Sequence, residues 1–212
     1  MTVEVEELAW DSEFFGIPIG RITSLEGARP DEIRDAEARA RDLGLACLYG
    51  ELDPADPEPL YRLQQLGWRL MESAVTWTLP PSKPRIEIPA TLTLRPGTQA
   101  DLENMGGVIA QLGHWSRFAA DPRFGLIAGE RMQRAWVERA ARDTSGQYEL
   151  IVAEQDGVVT SFITRRPDPD PIIDTIATTA PASGAAGALV QTTRDWAGDR
   201  PIGGGPIASR NI

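Results

Sequence analysis

A run of small residues lies between a predicted strand and a predicted helix, a pattern that can bind phosphate. Residues 171–177 (PIIDTIA) predict the strand, residues 182–188 (ASGAAGA) a turn and residues 189–197 the helix. Such a turn presents backbone N–H groups to an anion, and small side chains let the ligand approach closely. The predicted phosphate cradle consists of Ser183, Gly184, Ala185, Ala186, Gly187 and Ala188. The alternative is a plain strand-to-helix connection rich in small residues.

Two side chains are candidates for acid–base chemistry. Asp174 interrupts the apolar strand, and burial of a carboxylate raises its pKa toward a value useful to a general base. The alternative is a carboxylate at the strand edge that faces solvent or is held by Arg165 or Arg166. His114 is the only histidine, in a loop beside Trp115, and imidazole is the side chain suited to proton transfer near neutral pH. A loop histidine without a direct role is the alternative there.

The loop around the histidine holds groups that could bind a sugar or its diphosphate. Ser116, Arg117 and Arg123 lie in residues 113–125 (GHWSRFAADPRFG). Guanidinium groups match phosphate oxygens in a bidentate fork, which makes the two arginines candidates for substrate binding. Alternatively, Arg117 and Asp121 hold the loop together, and the sequence leaves both interpretations open.

The elements that must position these residues fall into two groups. Residues 1–80 predict an N-terminal domain of order β-α-β-α-β, with residues 68–79 as its last strand. The run PPSKPRIEIP at residues 80–89 carries four prolines and indicates a linker, which we assign to residues 81–90.

Residues 91–212 predict a second domain of order β-α-α-β-β-β-α-β. Its helices are predicted at residues 99–112, 129–143 and 189–197. Residues 147–154 and 158–165 predict a hairpin around a Gln-Asp-Gly turn. This alternation of elements predicts an α+β domain with a central mixed sheet flanked by helices.

Composition narrows the classes of partner. The formal net charge is −10, which argues against nucleic acid, because binding to a phosphate backbone needs clustered Lys and Arg. No apolar run is long enough to predict a membrane segment, and no signal peptide is recognisable. The single cysteine, Cys47, lies in an apolar run and predicts an inert core residue. We expect a cytoplasmic protein that binds neither membrane nor nucleic acid, and we predict no metal site.

The order of elements, with a phosphate-binding turn after the fourth strand of the second domain, resembles that of the GNAT acetyltransferases. Three segments resemble the dTDP-fucosamine (dTDP-4-amino-4,6-dideoxygalactose) acetyltransferases: LAWDSEFFG near the N-terminus, SRFAADPRF at residues 116–124 and GAAGALVQTTRDWA at residues 184–197. The resemblance covers nearly the whole chain. It implies a GNAT fold in residues 91–212, preceded by a half-GNAT N-terminal domain in residues 1–80.

The resemblance also implies the reactants. It implies acetyl-CoA as acyl donor and a small-molecule primary amine as acceptor. An amino-sugar nucleotide is the first candidate for that acceptor. In the family, the fourth strand diverges from the fifth, so a backbone N–H can polarise the thioester carbonyl. Ile176 and Ala177 lie at the matching place, and pantetheine would pair along Thr175 to Ala177. Asp174 and His114 are then the candidate bases.

Two features depart from the family pattern. The family's acyl-CoA loop runs Gln/Arg-x-x-Gly-x-Gly/Ala, and Pro181 stands where Gln or Arg is expected, which removes one N–H donor. The family's acid is a tyrosine in an Asn-x-x-Ala-Leu-x-x-Tyr segment after the fifth strand. The corresponding run begins near residues 208–211, and no residue inherits that role. We therefore expect the C-terminal helix and strands of the fold to be missing, and a partner or a homodimer mate to cover the exposed sheet.

Three functions remain open. The first is an acetyl-CoA-dependent N-acetyltransferase acting on a small amine by direct attack on the thioester. The second keeps the fold but takes a natural-product amine or an aminoacyl group, because fold does not fix substrate. The third is a non-catalytic acyl-CoA-binding protein, for which Pro181 and the absent tyrosine are the motivation.

Overall fold

The computed structural model describes residues 3–53, 55–167 and 169–208, and the chain divides into two compact units, Met1–Ser73 and Ala74–Ile212. No helix within these described ranges is both long and apolar enough to cross a bilayer. The same residues hold no group of three or more His, Cys, Asp or Glu side chains placed to bind a metal ion.

The first unit is a small sheet with three helices. Its elements are β1 (Glu4–Glu7), α1 (Ala9–Phe15), β2 (Ile19–Thr23), α2 (Pro30–Asp42), β3 (Cys47–Gly50) and α3 (Pro57–Gln65). Strand β2 lies in the middle, antiparallel to β1 and parallel to β3. Helix α2 begins with Pro30 in its first turn, and the Glu32 carboxylate accepts a hydrogen bond from the Arg29 N–H at 2.8 Å. Cys47 is buried, which confirms its predicted place in the core.

The second unit is built on a six-stranded sheet. Its first elements are β4 (Ala74–Leu79), β5 (Leu92–Pro96), α4 (Asp101–Asn104), α5 (Gly106–Gly113), α6 (Arg117–Ala120) and α7 (Leu126–Arg142). Its later elements are β6 (Glu149–Gln155), β7 (Val158–Arg166), β8 (Ile172–Thr178), a 3-10 turn (Pro181–Ser183), α8 (Ala185–Ala197) and β9 (Ile202–Ala208). The strand order is β4-β9-β8-β7-β6-β5.

The sheet is mixed and carries helices on both faces. Neighbouring strands from β5 to β8 are antiparallel, β8 and β9 are parallel, and β4 is antiparallel to β9. Residues of α4, α5 and α7 form one apolar cluster with Val152, Phe162 and Ala177 of the sheet. Residues of α8 form a second cluster with Ile163, Ile173 and other sheet residues. Alternation along each strand therefore divides the apolar side chains between an α5/α7 face and an α8 face.

Strand β4 belongs to the second sheet, whereas the sequence predicted it as the end of an N-terminal domain. Its residues pair with β9 from Ala74↔Ala208 to Leu79↔Ile202. A Cβ at Gly204 would overlap the Trp77 indole, so the ring lies directly on the backbone of β9. Trp77 and Leu79 also join the apolar cluster of the α8 face. The boundary between the two units consequently falls before residue 74 and not at residue 80.

The proline-rich segment predicted as a linker lies along α8. We call residues 80–89 the strap. Arg194 donates hydrogen bonds to the carbonyl oxygens of Pro81, Lys83 and Pro84, and the Ile86 N–H donates to Gln191 Oε1 at 2.8 Å. Arg85 and Asp195 form an ion pair at 2.9 Å. The strap is therefore held against α8 on the surface of the second unit, where its residues stay largely exposed and α8 side chains satisfy several of its backbone groups.

Candidate functional site

Strand β8 has an open edge in its second half. Its pairs with β9 are Ile172↔Gly203 and Ile173↔Gly204, and none follows within the described residues. On its other edge, β8 stays paired with β7 as far as Thr178↔Ser161. Alternate backbone groups of residues 175–178 therefore face the β9 side without a ladder partner. The strands separate where the resemblance implied a divergence of the fourth and fifth strands, around Ile176 and Ala177.

A β-bulge lies where the two strands separate. In the β7–β8 ladder, Thr164 pairs with Thr175 and Arg165 pairs with Ile173, which leaves Asp174 as the extra residue. A bulge bends its strand and increases the local twist. The bulge at Asp174 thus accounts for β8 turning away from β9 immediately after the last paired residue.

The Asp174 carboxylate accepts two hydrogen bonds from Arg166 Nε, at 2.9 and 3.0 Å. Burial raises the pKa of Asp174, while the charges of Arg166 and, more weakly, Arg139 oppose that rise. Both parts of the alternative are present, because Asp174 is an exposed residue and pairs with Arg166, and the upward pKa direction expected of a base is present with them. Asp174 remains a predicted catalytic residue.

The predicted cradle forms the first turn of α8. The helix begins at Ala185, four residues before the predicted start at residue 189. The Ser183 hydroxyl accepts a hydrogen bond from the Ala185 N–H at 3.2 Å and donates one to the Ala180 carbonyl at 2.7 Å. Alanine is the strongest helix former, so the segment from Ala185 joins the helix and does not remain a turn.

The cradle residues have different surroundings. The side chains of Ala185 and Ala188 are fully buried beneath the helix, in the apolar cluster of the α8 face. Gly184 precedes the helix with φ 76°, a left-handed conformation that favours glycine. The N–H groups of Ala186 and Gly187 belong to the first helical turn and have no acceptor within the helix. Ala186 and Gly187 thus each offer a backbone donor to an anion.

The strap borders the cradle on one side. A Cβ at Gly184 would lie 3.1 Å from Pro89 Cγ, and one at Gly187 would lie 3.2 Å from Ile86 Cγ2. Close approach of the strap therefore gives a structural reason for both glycines, in addition to any ligand.

Hydroxyl groups fix the turn from β8 into the cradle, and sequence reasoning missed them. Ser161 Oγ donates to Thr178 Oγ1 at 2.7 Å, and Thr178 Oγ1 accepts from the Ala180 N–H at 3.0 Å. Thr179 donates its N–H to the Thr160 carbonyl at 2.8 Å. The turn is therefore anchored to β7, independently of any ligand.

His114 follows α5 and pairs with a residue that the sequence did not indicate. Its Nε2 lies 3.0 Å from Glu130 Oε1 on α7. The two helices approach so closely at Gly113 and Gly129 that a Cβ at either glycine would overlap the backbone opposite. This backbone contact brings the imidazole and the carboxylate together.

The three predicted substrate-binding residues all take part in the local structure of the loop. Ser116 caps α6, accepting from the Ala119 N–H and donating to the Gly113 carbonyl. Arg123 Nε donates to both oxygens of the buried Asp121 carboxylate at 3.0 Å. The Arg117 guanidinium lies 4.5 Å from the Phe118 ring centroid. Asp121 thus stabilises the loop, as the alternative interpretation expected, with Arg123 as a partner.

The direction of the strands decides which of these residues share an end of the sheet. Strand β8 runs toward the cradle. Helix α5 leaves the opposite end, where β5 ends at Pro96, and packs against β8, while α7 returns to the start of β6. The loop with His114 and Arg123 therefore lies at the cradle end, and Asp174 lies at the base of the open edge. Among the described residues, no hydrogen bond or ion pair joins Asp174 to His114.

Comparison with known proteins gives likeness in structure only. No family model matches the chain, and no curated protein matches it. A structure of a conserved protein of unknown function from Staphylococcus epidermidis ATCC 12228 is similar, with TM-score 0.61, 12% identity, and coverage of 91% of this chain and 75% of that one.

Two further similar structures are of GNAT proteins. A GCN5-related N-acetyltransferase from Sphaerobacter thermophilus has TM-score 0.59, 14% identity, and coverage of 100% of this chain and 70% of that one. A tandem GNAT protein from the clavulanic acid biosynthesis pathway has TM-score 0.50, 15% identity, and coverage of 93% and 69%. With the mixed sheet and flanking helices, these likenesses confirm the predicted α+β class, and the chain has the fold of the GCN5-related N-acetyltransferases.

Proposed function

We propose that this chain is an acetyl-CoA-dependent N-acetyltransferase that transfers an acetyl group to a primary amine of a small molecule. The observation that carries the proposal is the open edge of β8 between Thr175 and Thr178, which leads into the first turn of α8. An extended pantetheine can pair with an unpaired strand edge, and the N–H groups of a helix N-terminus can hold its pyrophosphate. Both elements lie at one end of one sheet.

Each group then has a role in direct attack of the amine on the thioester. The N–H groups of Ala186 and Gly187 bind the pyrophosphate, and the backbone of Thr175 to Ala177 pairs with pantetheine. A backbone N–H at Ile176 or Ala177 polarises the thioester carbonyl. Asp174, whose pKa is raised by burial, takes the proton of the attacking amine, with His114 as the other candidate base. The general acid stays unassigned, because the run expected to lead to it begins near residues 208–211, of which only Ala208 is described, and no residue of the sequence inherits the role.

For the acceptor we propose an amino-sugar nucleotide. The loop at the cradle end carries Arg117 and Arg123, and arginine forks suit the oxygens of a diphosphate. His114 would contact the same acceptor from this loop, and Ser116 would position the loop, because its hydroxyl is hydrogen-bonded to the Gly113 carbonyl and the Ala119 N–H. The similar tandem protein of the clavulanic acid pathway favours a natural-product amine as the second candidate. We also propose that the first unit is a half-GNAT domain that precedes the GNAT domain of the second unit.

The binding step is tested by calorimetric titration of the chain with acetyl-CoA and with CoA. We expect micromolar affinity, about −8 kcal/mol. Ala186→Pro removes one N–H donor from the first helical turn, where proline is tolerated. The affinity for both ligands should fall about tenfold. Ala186→Ser keeps the N–H and is the matched control. Equal affinity of the two variants would show that this turn does not bind the pyrophosphate, and absence of binding by a folded chain would overturn the proposal.

The catalytic step is tested by release of CoA thiol in the presence of amines. We expect release with at least one amino-sugar nucleotide, and none with the matching hydroxy-sugar nucleotide, which lacks the attacking nitrogen. Tight acetyl-CoA binding without thiol release in any amine would favour the non-catalytic acyl-CoA-binding function, for which Pro181 in the loop is the motivating observation.

A further inference from the structure

His114 and Glu130 each follow a glycine at which two helices touch. A Cβ at Gly113 would overlap the backbone of Glu130, and one at Gly129 would overlap the Gly113 carbonyl oxygen. The His114 Nε2 lies 3.0 Å from Glu130 Oε1. Most exposed ion pairs must hold two long side chains in place by themselves. In this pair, the backbone contact next to each residue fixes the distance between them.

The carboxylate determines which ring nitrogen of His114 carries the proton. A carboxylate oxygen only accepts hydrogen bonds, so Nε2 bears the hydrogen and the neutral ring keeps its lone pair at Nδ1. Nδ1 forms no hydrogen bond with any residue that the structure describes, and the His114 side chain is 44% exposed. Nδ1 is thus a basic nitrogen that a ligand can reach. The Glu130 carboxylate would stabilise the imidazolium that forms when Nδ1 takes a proton.

The pair lies toward the cradle end of the sheet, on the face that α5 covers. Helix α5 packs against β8. Its residue Leu112 packs against the apolar cluster that includes Ala177, which belongs to the open edge. His114 follows Leu112 by two residues, at the end of α5 nearer the cradle. The imidazole therefore lies toward the cradle, whereas Asp174 lies at the base of the same edge.

We infer that His114 takes the first proton from the acceptor amine, at Nδ1, and that Glu130 is the residue that positions the ring for this step. The inference rests on the proposed function, because it assumes that an amine attacks a thioester at the open edge. It gives separate protons to His114 and Asp174, and it assigns a role to Glu130, which no step of the proposed function uses.

The proton count of amide formation leaves room for two bases. A primary alkyl amine is mostly an ammonium ion at neutral pH, and its nitrogen loses two protons in becoming an amide. His114 Nδ1 takes the first, which frees the lone pair for attack. The nitrogen–carbon bond forms, Asp174 takes the second proton, and the carbon–sulfur bond breaks with its electron pair on sulfur. The thiolate takes up one proton, so one proton per turnover leaves to solvent from the exposed imidazolium.

The pairing is tested without any ligand, because the chain has a single histidine. Long-range ¹H–¹⁵N NMR of the labelled imidazole, at alkaline pH where the ring is neutral, reports which nitrogen is protonated. We expect Nε2–H in the wild-type chain and in Glu130→Gln, whose amide oxygen also accepts, and a mixture of both tautomers in Glu130→Ala. Glu138→Ala, which breaks ion pairs on the same helix, is the matched control and should leave the signals unchanged. Nδ1–H in the wild-type chain would overturn the inference.

The catalytic step is tested by thiol release at saturating acetyl-CoA with an amine that the wild-type chain acetylates. His114→Ala should lower kcat at least about 10²-fold, and Glu130→Ala about tenfold, a part of what a base contributes. Glu138→Ala should keep the wild-type kcat. In the His114→Ala background, Glu130→Ala should have no further effect, because a positioning residue acts only through the group that it positions. His114→Gln replaces the alanine variant if that one fails to fold by circular dichroism.

The outcomes separate this inference from the proposed function. Wild-type kcat in His114→Ala overturns the inference and leaves acetyl transfer in place. An undiminished effect of Glu130→Ala in the His114→Ala background also overturns it, because Glu130 would then act on the structure and not through the imidazole. Absence of thiol release by the folded wild-type chain with every amine overturns the proposed function and the proton transfer together.

Discussion

Strand β8 has two neighbours, and its two edges differ in what they contribute. Along β7 the ladder runs from Arg166↔Ile172 to Ser161↔Thr178. Along β9 it ends after two pairs. The first edge holds the sheet together, and the second offers the backbone groups that a ligand can use. One strand thus supplies both stability and a candidate site, because only one of its edges is paired along its length.

The sequence of β9 keeps the second edge open. Three consecutive glycines, Gly203 to Gly205, give it little side-chain packing and a high entropy cost of ordering. A Cβ at Gly205 would lie 3.4 Å from the Asp174 carbonyl oxygen, so the two backbones are still close where pairing ends. The bulge at Asp174 and the glycines of β9 both disfavour further pairing between β8 and β9. Substitutions on the β7 edge and on the β9 edge of β8 should therefore have separable effects.

The largest expected effect is on activity and comes from the open edge. Asp174→Asn should lower kcat/KM about 10²- to 10⁴-fold, because the amide cannot take a proton from the amine. CoA affinity and the free energy of unfolding should change little. Steady-state thiol release and calorimetry measure the two effects. Asp156→Asn, in the β6–β7 turn, is the control, because asparagine tolerates the φ of 52° found there. Activity within a factor of a few of wild type, about the scatter of such assays, would remove Asp174 from the mechanism.

The next effect is on stability and comes from the wall of the opening. Gly204→Val would force its side chain into the Trp77 indole and separate β4 from β9, which should cost about 2–3 kcal/mol of unfolding free energy. Urea denaturation measures the loss. Gly203→Ala is the control, because its Cβ would meet Ile172 Cγ1 at an ordinary 3.6 Å. Trp77→Ala in the Gly204→Val background should recover part of the loss, and a purely additive double variant would contradict the packing described.

The smallest effect is expected far from the opening, at β5. The buried Asp101 carboxylate accepts from Arg95 at 2.7 and 2.9 Å and from the Thr98 N–H at 2.7 Å. Asp101→Asn should cost about 2 kcal/mol of unfolding free energy. CoA affinity should be unchanged, which separates this region from the open edge. Glu103→Gln, an exposed change on the same helix, is the control.

The same variant has a defined pH dependence. Hydrogen bonding to Arg95, and then to Thr98, holds the pKa of Asp101 well below its ordinary value. The folded state therefore binds this proton less readily than the unfolded state, so the stabilisation is present above about pH 4 and is lost as the pH falls below it. The difference in unfolding free energy between the wild-type chain and Asp101→Asn should therefore shrink in acid. A constant difference between them from pH 7 to pH 3 would contradict the assignment.

The sequence predicted those features whose cause is local. Small residues after an apolar strand indicated the strand-to-helix connection, and an aspartate in an apolar strand indicated an arginine partner, while the cradle and the base stay predictions. The start of α8 was missed because a run of alanine and glycine can form either a turn or the first turn of a helix. The partner of β4 was not predictable, since alternation in residues 74–79 fits any half-buried sheet edge.

Contacts between distant residues escaped prediction. Glu130 lies 16 residues from His114, and Gln191 lies 105 residues from Ile86. A proline-rich run is typical of a linker, and its composition carries no sign of a helix that will bind it. A signal did exist on α8, where Gly184, Gly187, Gln191 and Arg194 share one stripe of the helix. A buried glutamine in that stripe, away from the sheet, indicates a segment that needs its hydrogen bonds.

The strap has a consequence for how the second unit acquires its structure. It joins β4 at one edge of the sheet to β5 at the other, yet its hydrogen-bonding partners on α8 follow it by 105 to 113 residues. Closing such a long loop costs entropy before any contact stabilises it, and contacts of large sequence separation slow folding. The strap therefore stays unattached during synthesis until α8 has emerged and formed. We expect its docking on α8 to be a late step of folding, after which α8 connects the segments that lead to the two edges of the sheet.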